Sequence, residues 1–172
     1  MKVFIVFLGV LIINISFLCY QGDLGRYLRT QAAMKALAEE CGAGAALFYD
    51  AEAYGDGSMV ANREEALKYT DYVLHNADPG NGKDTLADID SAICFFDDTL
   101  TARRYIDGKL VSESGFSYPY RYEDEGGKEI IIDSPSVIVT LSIMPNEIFR
   151  LPFIGQDAIV RSAMYEIKAD GQ

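Results

Sequence analysis

The residues able to do chemistry are few and widely scattered. The single histidine, His75, sits near the end of a helix-forming stretch. A positive charge is favoured there by the helix dipole, so its expected role is capping rather than catalysis. Serines are present, but none lies in a G-x-S-x-G elbow. Asp84, Asp88, Asp90, Asp97 and Asp98 form an acidic run. Carboxylates at loop edges can take calcium. The spacing does not match the D-x-[DN]-x-[DN]-G loop with its distant Glu, so a solvated acidic face is the expectation. Tyr118, Tyr120 and Tyr122 alternate, and so share one strand face. They could form an exposed aromatic binding strip, but core or cross-strand packing is the more frequent use of such a face. No catalytic, cofactor-binding or metal-binding residue is assigned, no cofactor is expected, and the chain reads as non-enzymatic.

Three cysteines, Cys19, Cys41 and Cys94, complete the reactive inventory. Cys19 closes an apolar run and reads as a free thiol near a membrane. Cys41 and Cys94 fit either a disulfide, permitted outside the cytoplasm, or two small buried thiols. No Cys/His spacing suggests zinc. The formal net charge is −11. Without a basic stripe of clustered Lys and Arg, this balance argues against nucleic acid as a partner.

The elements around these residues begin with an anchor. Residues 3–18 are apolar apart from Gly9, Asn14 and Ser16. With Cys19 and Tyr20 the run approaches the roughly 17–25 residues that span a bilayer. Tyr20 suits the headgroup boundary. A cleaved signal peptide needs small residues before its cut. Here the exit reads Phe17-Leu18-Cys19-Tyr20, so residues 1–20 are expected to stay as a transmembrane helix. Lys2 favours an inner N-terminus, while Arg26 and Arg29 oppose it. The turn-rich β region that follows places the remaining domain, 21–172, outside the cytoplasm.

Good helix formers fill residues 23–48 without a proline. Tyr27, Met34, Leu37, Cys41, Ala45 and Phe48 recur at helical spacing as one stripe. The anchor should therefore run on unbroken into an amphipathic half, 21–48. Gly42 and Gly44 among alanines allow a close approach, expected against the domain's own sheet. After a turn at 54–58, Asn62 and Glu65 form a capping box for a second helix. Its buried face is Leu67, Thr70, Val73, Leu74 and Ala77. From Ile89 the period changes to that of strands. Asp107-Gly108 marks a hairpin between 102–106 and 109–113. Glu125-Gly126-Gly127 separates 116–122 from 128–132. Strands follow at 137–143, stopped by Pro145, and at 158–167. The expected fold is α+β, with both helices packed on one face of an antiparallel meander.

Two stretches carry a family resemblance. The first is Asp23-Leu24-Gly25-Arg26, then Gln31 and the alanine-rich 32–46, directly after an apolar helix. The second is Val137-Ile138-Val139, Pro145, Phe149, Gly155 and Val160 to Ala163. Together they resemble the opening and closing patterns of TadE/TadG-like proteins of tight-adherence (Flp-type) pilus systems. Gly9 is followed by Asn14 where processed members have Glu, so the resemblance does not extend to prepilin-type cleavage. It implies a pilin-like fold in a membrane-anchored, non-enzymatic pilus or secretion component. Its partners would be the lipid bilayer, pilins or other assembly proteins, and further copies of itself as a homo-oligomer. Asn14 and Ser16 could bond across a helix contact in the membrane. The alternative is an anchored extracellular adhesion or ligand-binding module.

Overall fold

The computed structural model describes residues 2–77, 89–124, 126–144 and 158–168. Helix α1 spans Lys2–Ala45, 44 residues without a break. That is about 66 Å of helix. It ends three residues short of the expected Phe48, where Leu47 and Phe48 donate to Gly44 and Ala45 in tightening turns. A short helix, α2 (Ala51–Gly55), occupies part of the expected turn. Asp50 caps it, accepting from the Glu52 and Ala53 amides at 2.9 and 3.2 Å. Helix α3 spans Arg63–Asn76, with Asn62 as its N-cap.

Five strands form one antiparallel sheet: β1 (Ile89–Phe96), β2 (Thr101–Ile106), β3 (Lys109–Gly115), β6 (Ser136–Ile143) and β7 (Ile159–Glu166). β4 (Tyr120–Glu123) and β5 (Glu129–Ile132) pair separately as a hairpin. The expected meander holds only for β1, β2 and β3. The sheet order is β3-β2-β1-β6-β7, so β6 returns to pair with β1 along its whole length. The chain thus leaves the sheet after β3, makes a hairpin, and re-enters on the other side of β1. The β2–β3 turn is as expected. Asp107 and Gly108 both have positive φ, 47° and 74°, which a tight two-residue hairpin requires.

Both faces of the central strands are covered, because strand side chains alternate. On one face, Ile93, Phe95, Val137, Val139 and Leu141 meet Met34, Leu37, Cys41 and Ala45 of α1 and Val73 of α3. On the other, Cys94, Phe96 and Ile138 meet Ile132 and the tyrosines of the β4–β5 hairpin. This two-sided cover is why β6 reads as an almost continuous apolar run. Gly42 and Gly44 sit where α1 touches its neighbours. A Cβ on Gly42 would reach 2.9 Å from the Tyr165 ring of β7, and one on Gly44 would reach 1.9 Å from the Tyr69 ring of α3.

Candidate functional site

Among the described residues, the first half of α1 is a chemically distinctive surface. It is a helix long and apolar enough to cross a membrane. None of its most apolar window is buried by the rest of the chain. Val3 to Phe7, Val10 to Ile13, Ile15, Phe17 and Leu18 are all exposed. Burial on α1 begins only at Thr30 and continues through Ala45. One rigid element therefore has an uncovered apolar half and a half built into the core. Asn14 Nδ2 donates to the Val10 carbonyl at 2.8 Å, and Ser16 Oγ to the Ile12 carbonyl at 2.9 Å. These donors are used within the helix itself, which lowers the cost of placing them in an apolar medium. Cys19 is half-buried and Tyr20 exposed. Tyr27, assigned to the buried stripe by spacing, is exposed at 38%. The domain starts one turn further on and does not reach it.

His75 lies in the last turn of α3 with Nδ1 3.5 Å from Asp71 Oδ1, both side chains largely exposed. It borders a half-open groove of about 660 Å³ between α3, β1 and the β2–β3 turn. Polar groups at that groove pair with one another, His75 with Asp71 and Ser91 with Asp107, or with their own helix. Thr70 Oγ1 donates to the Ala66 carbonyl, and Asp107 Oδ1 accepts from the Ser91 amide at 3.2 Å.

Of the acidic run, the described members are Asp90, Asp97 and Asp98, and Asp90 stands apart from the other two. Asp84 and Asp88 lie outside the described residues, as do Glu125, Pro145, Phe149 and Gly155. Asp90 is exposed near the start of β1, whereas Asp97 follows its end. At about 3.3 Å per residue these two are some 23 Å apart. Asp97 is completely buried, and it is the polar centre that spacing did not reveal. Its Oδ2 pairs with Arg63 Nη2 at 2.5 Å and accepts from the Ala61 amide at 3.4 Å. Its Oδ1 accepts from the Thr99 amide and hydroxyl. Asp98 Oδ2 accepts from the Met59 amide at 2.6 Å. Together the two carboxylates hold the segment leading into α3 against the end of β1. An Asp-Asp-Thr after an apolar strand is an Asx-turn signal, and that was the available clue.

The three alternating tyrosines are packing, not an exposed strip. Phe96 lies at their centre, 5.4 Å from Phe116, 5.7 Å from Tyr120 and 5.5 Å from Tyr122 between ring centroids. Such pairs add about 0.5–1.5 kcal/mol each beyond area burial. The Tyr118 hydroxyl is buried without a hydrogen-bond partner among the described residues. Burial first, then the Asp98 and Asp97 carboxylates, pushes this phenol upward. Cys41 and Cys94 are buried thiols on opposite faces of the sheet, with no disulfide between them. The sheet between them accounts for their not being bonded. Burial, then the Glu40 carboxylate, pushes the Cys41 thiol up to about 12. Among the described residues, no three His, Cys, Asp or Glu side chains are grouped to hold a metal ion.

No protein-family model, curated protein or solved structure matches this chain.

Proposed function

We propose that this protein is a membrane-anchored, non-enzymatic component of a pilus or secretion assembly, of the TadE/TadG-like kind, with its α+β domain outside the cytoplasm. The observation that carries the reading is the continuity of α1. A flexible tether would suffice for a domain that works alone. Here the apolar half is uncovered while the remainder supplies Met34, Leu37, Cys41 and Ala45 to the core. Any force or orientation imposed on the anchor reaches the sheet directly, as an assembly component needs. Within the membrane, anchor helices would pack on one another through van der Waals contact. The pilin-like label rests on this long helix laid on an antiparallel sheet, and on the resemblance at the two ends of the chain.

Affinity purification of the full chain from detergent-solubilised membranes tests the reading. Pilins or an assembly platform should co-purify. Recovery of a soluble ligand with no such partner would sink it. That second outcome belongs to an anchored binding module, which the half-open groove beside α3 favours. External protease should digest the domain beyond Tyr20 in cells whose envelope admits it. Full protection would reverse the orientation.

A further inference from the structure

The apolar surface of α1 does not stop with the expected span. Tyr20, Leu24, Tyr27 and Leu28 are 44%, 43%, 38% and 54% exposed. Their spacings of four, three and one place them along one side of the helix. They continue the uncovered apolar run and stop just before Thr30, the first buried residue of α1. Exposed Arg26 and Arg29 stand on the opposite side of the same turns, and Asp23 is the one carboxylate of the segment. In water, four large apolar side chains on a bare stalk would be costly. From Val3 to Leu28 the helix rises about 38 Å. A bilayer measures about 30 Å across its hydrocarbon core and about 40–45 Å with its headgroup regions.

We infer that the turns from Tyr20 to Leu28 are embedded in the headgroup region of the bilayer, so that the domain rides directly on the membrane surface with no spacer. This rests on the reading that α1 spans the membrane. Tyrosine is favoured at that depth, where its ring meets acyl chains and its hydroxyl meets water. Arg26 and Arg29 extend from the same turns with long stems that bring guanidinium groups to lipid phosphates. The partner is therefore lipid, not protein. The apolar side chains take the upper acyl boundary and the arginines take the phosphates. Thr30 follows Leu28 by about 3 Å of helix rise, which leaves no aqueous gap for a stalk.

The full chain in phosphatidylethanolamine/phosphatidylglycerol vesicles allows a direct test. Cys19→Ser leaves only the buried Cys41 and Cys94 thiols, and a fluorophore is then placed singly through Leu24→Cys, Leu28→Cys, Lys35→Cys or Val10→Cys. Quenchers on the lipid headgroup should quench the Leu24 and Leu28 sites about threefold more than the Lys35 site, as expected at the interface. Iodide in the buffer should favour the Lys35 site. If the Leu24 and Leu28 sites are open to iodide and insensitive to lipid quenchers, the inference is overturned and these turns form an aqueous stalk. If they are shielded from both, a protein contact covers them and the inference is equally overturned. The Val10 site reports on the anchor alone. Quenching there by acyl-chain labels, without quenching at Leu24 and Leu28, would defeat this inference and leave the span intact. Loss of quenching at Val10 as well would defeat both.

Discussion

Arg63 Nη2 lies 2.5 Å from Asp97 Oδ2, and the Asp97 side chain is wholly excluded from solvent while that of Arg63 is 23% exposed. The pair joins the start of α3 to the end of β1, two elements that share no backbone hydrogen bonds. Removing one partner of a buried pair strands the other charge, at about 3–5 kcal/mol. Asp97→Ala should therefore lower stability by roughly that amount, measured by thermal or urea unfolding of the full chain in detergent. Asp98→Ala is the control. Asp98 is exposed and holds one described backbone bond, to Met59, so its loss should cost about 0.5–1.5 kcal/mol. Equal effects at the two sites would show that Asp97 is not the joint.

How far the sequence reveals this protein depends on the range of each interaction. Local signals are legible: Asn62 with Glu65 at the start of α3, Asp107-Gly108 in the β2–β3 turn, and the helical stripe through Met34, Leu37, Cys41 and Ala45. Each is decided by residues within a few positions of one another. The return of β6 to β1 is not legible. Ile138 opposite Cys94 and Val137 opposite Phe95 are contacts across more than forty positions of chain, and Val-Ile-Val pairs as well with any apolar neighbour. The same limit hides the role of Asp97. In sequence it is one carboxylate among five, and only the fold brings Arg63 to it. The tyrosine alternation was legible as a face, with packing its commoner use, but not what that face would pack on. That depended on the hairpin lying over Phe96.

The Cys41 thiol gives the domain a defined alkaline weakness. Burial, with the Glu40 carboxylate adding to it, raises this thiol from 9.0 to about 12. In the unfolded chain the thiol ionises first, so above its ordinary value the unfolded state holds fewer protons than the folded state. Stability from this group is complete below pH 9 and is lost as pH rises towards 12. The loss approaches about 1.4 kcal/mol per pH unit. Tyr69 and Tyr118 are also raised, from 10.0, and contribute in the same direction at higher pH. Between pH 9 and 10 the effect of the cysteine is therefore best isolated. Unfolding midpoints of the wild type should fall across that interval, and Cys41→Ala should flatten the fall. Identical slopes in both proteins would remove Cys41 from the account. The readout should be near-ultraviolet circular dichroism of the tyrosines, since the chain has no tryptophan.

Gly44 poses a conflict between local and tertiary preference that can be measured as a change of sign. In a helix, replacing Gly with Ala ordinarily stabilises by about 0.5–1 kcal/mol. At Gly44 the added methyl would meet the Tyr69 ring at 1.9 Å. That ring packs on Phe48 at 5.7 Å between centroids, so moving it outward gives up a contact. Overpacking of this kind costs about 1–3 kcal/mol, which exceeds the helix gain. Gly44→Ala should therefore destabilise the wild type. In a Tyr69→Ala background the obstacle is gone, and the same substitution should stabilise. Gly22→Ala and Gly25→Ala meet nothing within 4 Å and should be neutral or favourable in either background. Thermal unfolding of the four combinations at positions 44 and 69 decides the matter. If Gly44→Ala stabilises while Tyr69 is present, α3 does not hold its ring against α1, and the close approach of the two helices is not what selects glycine there.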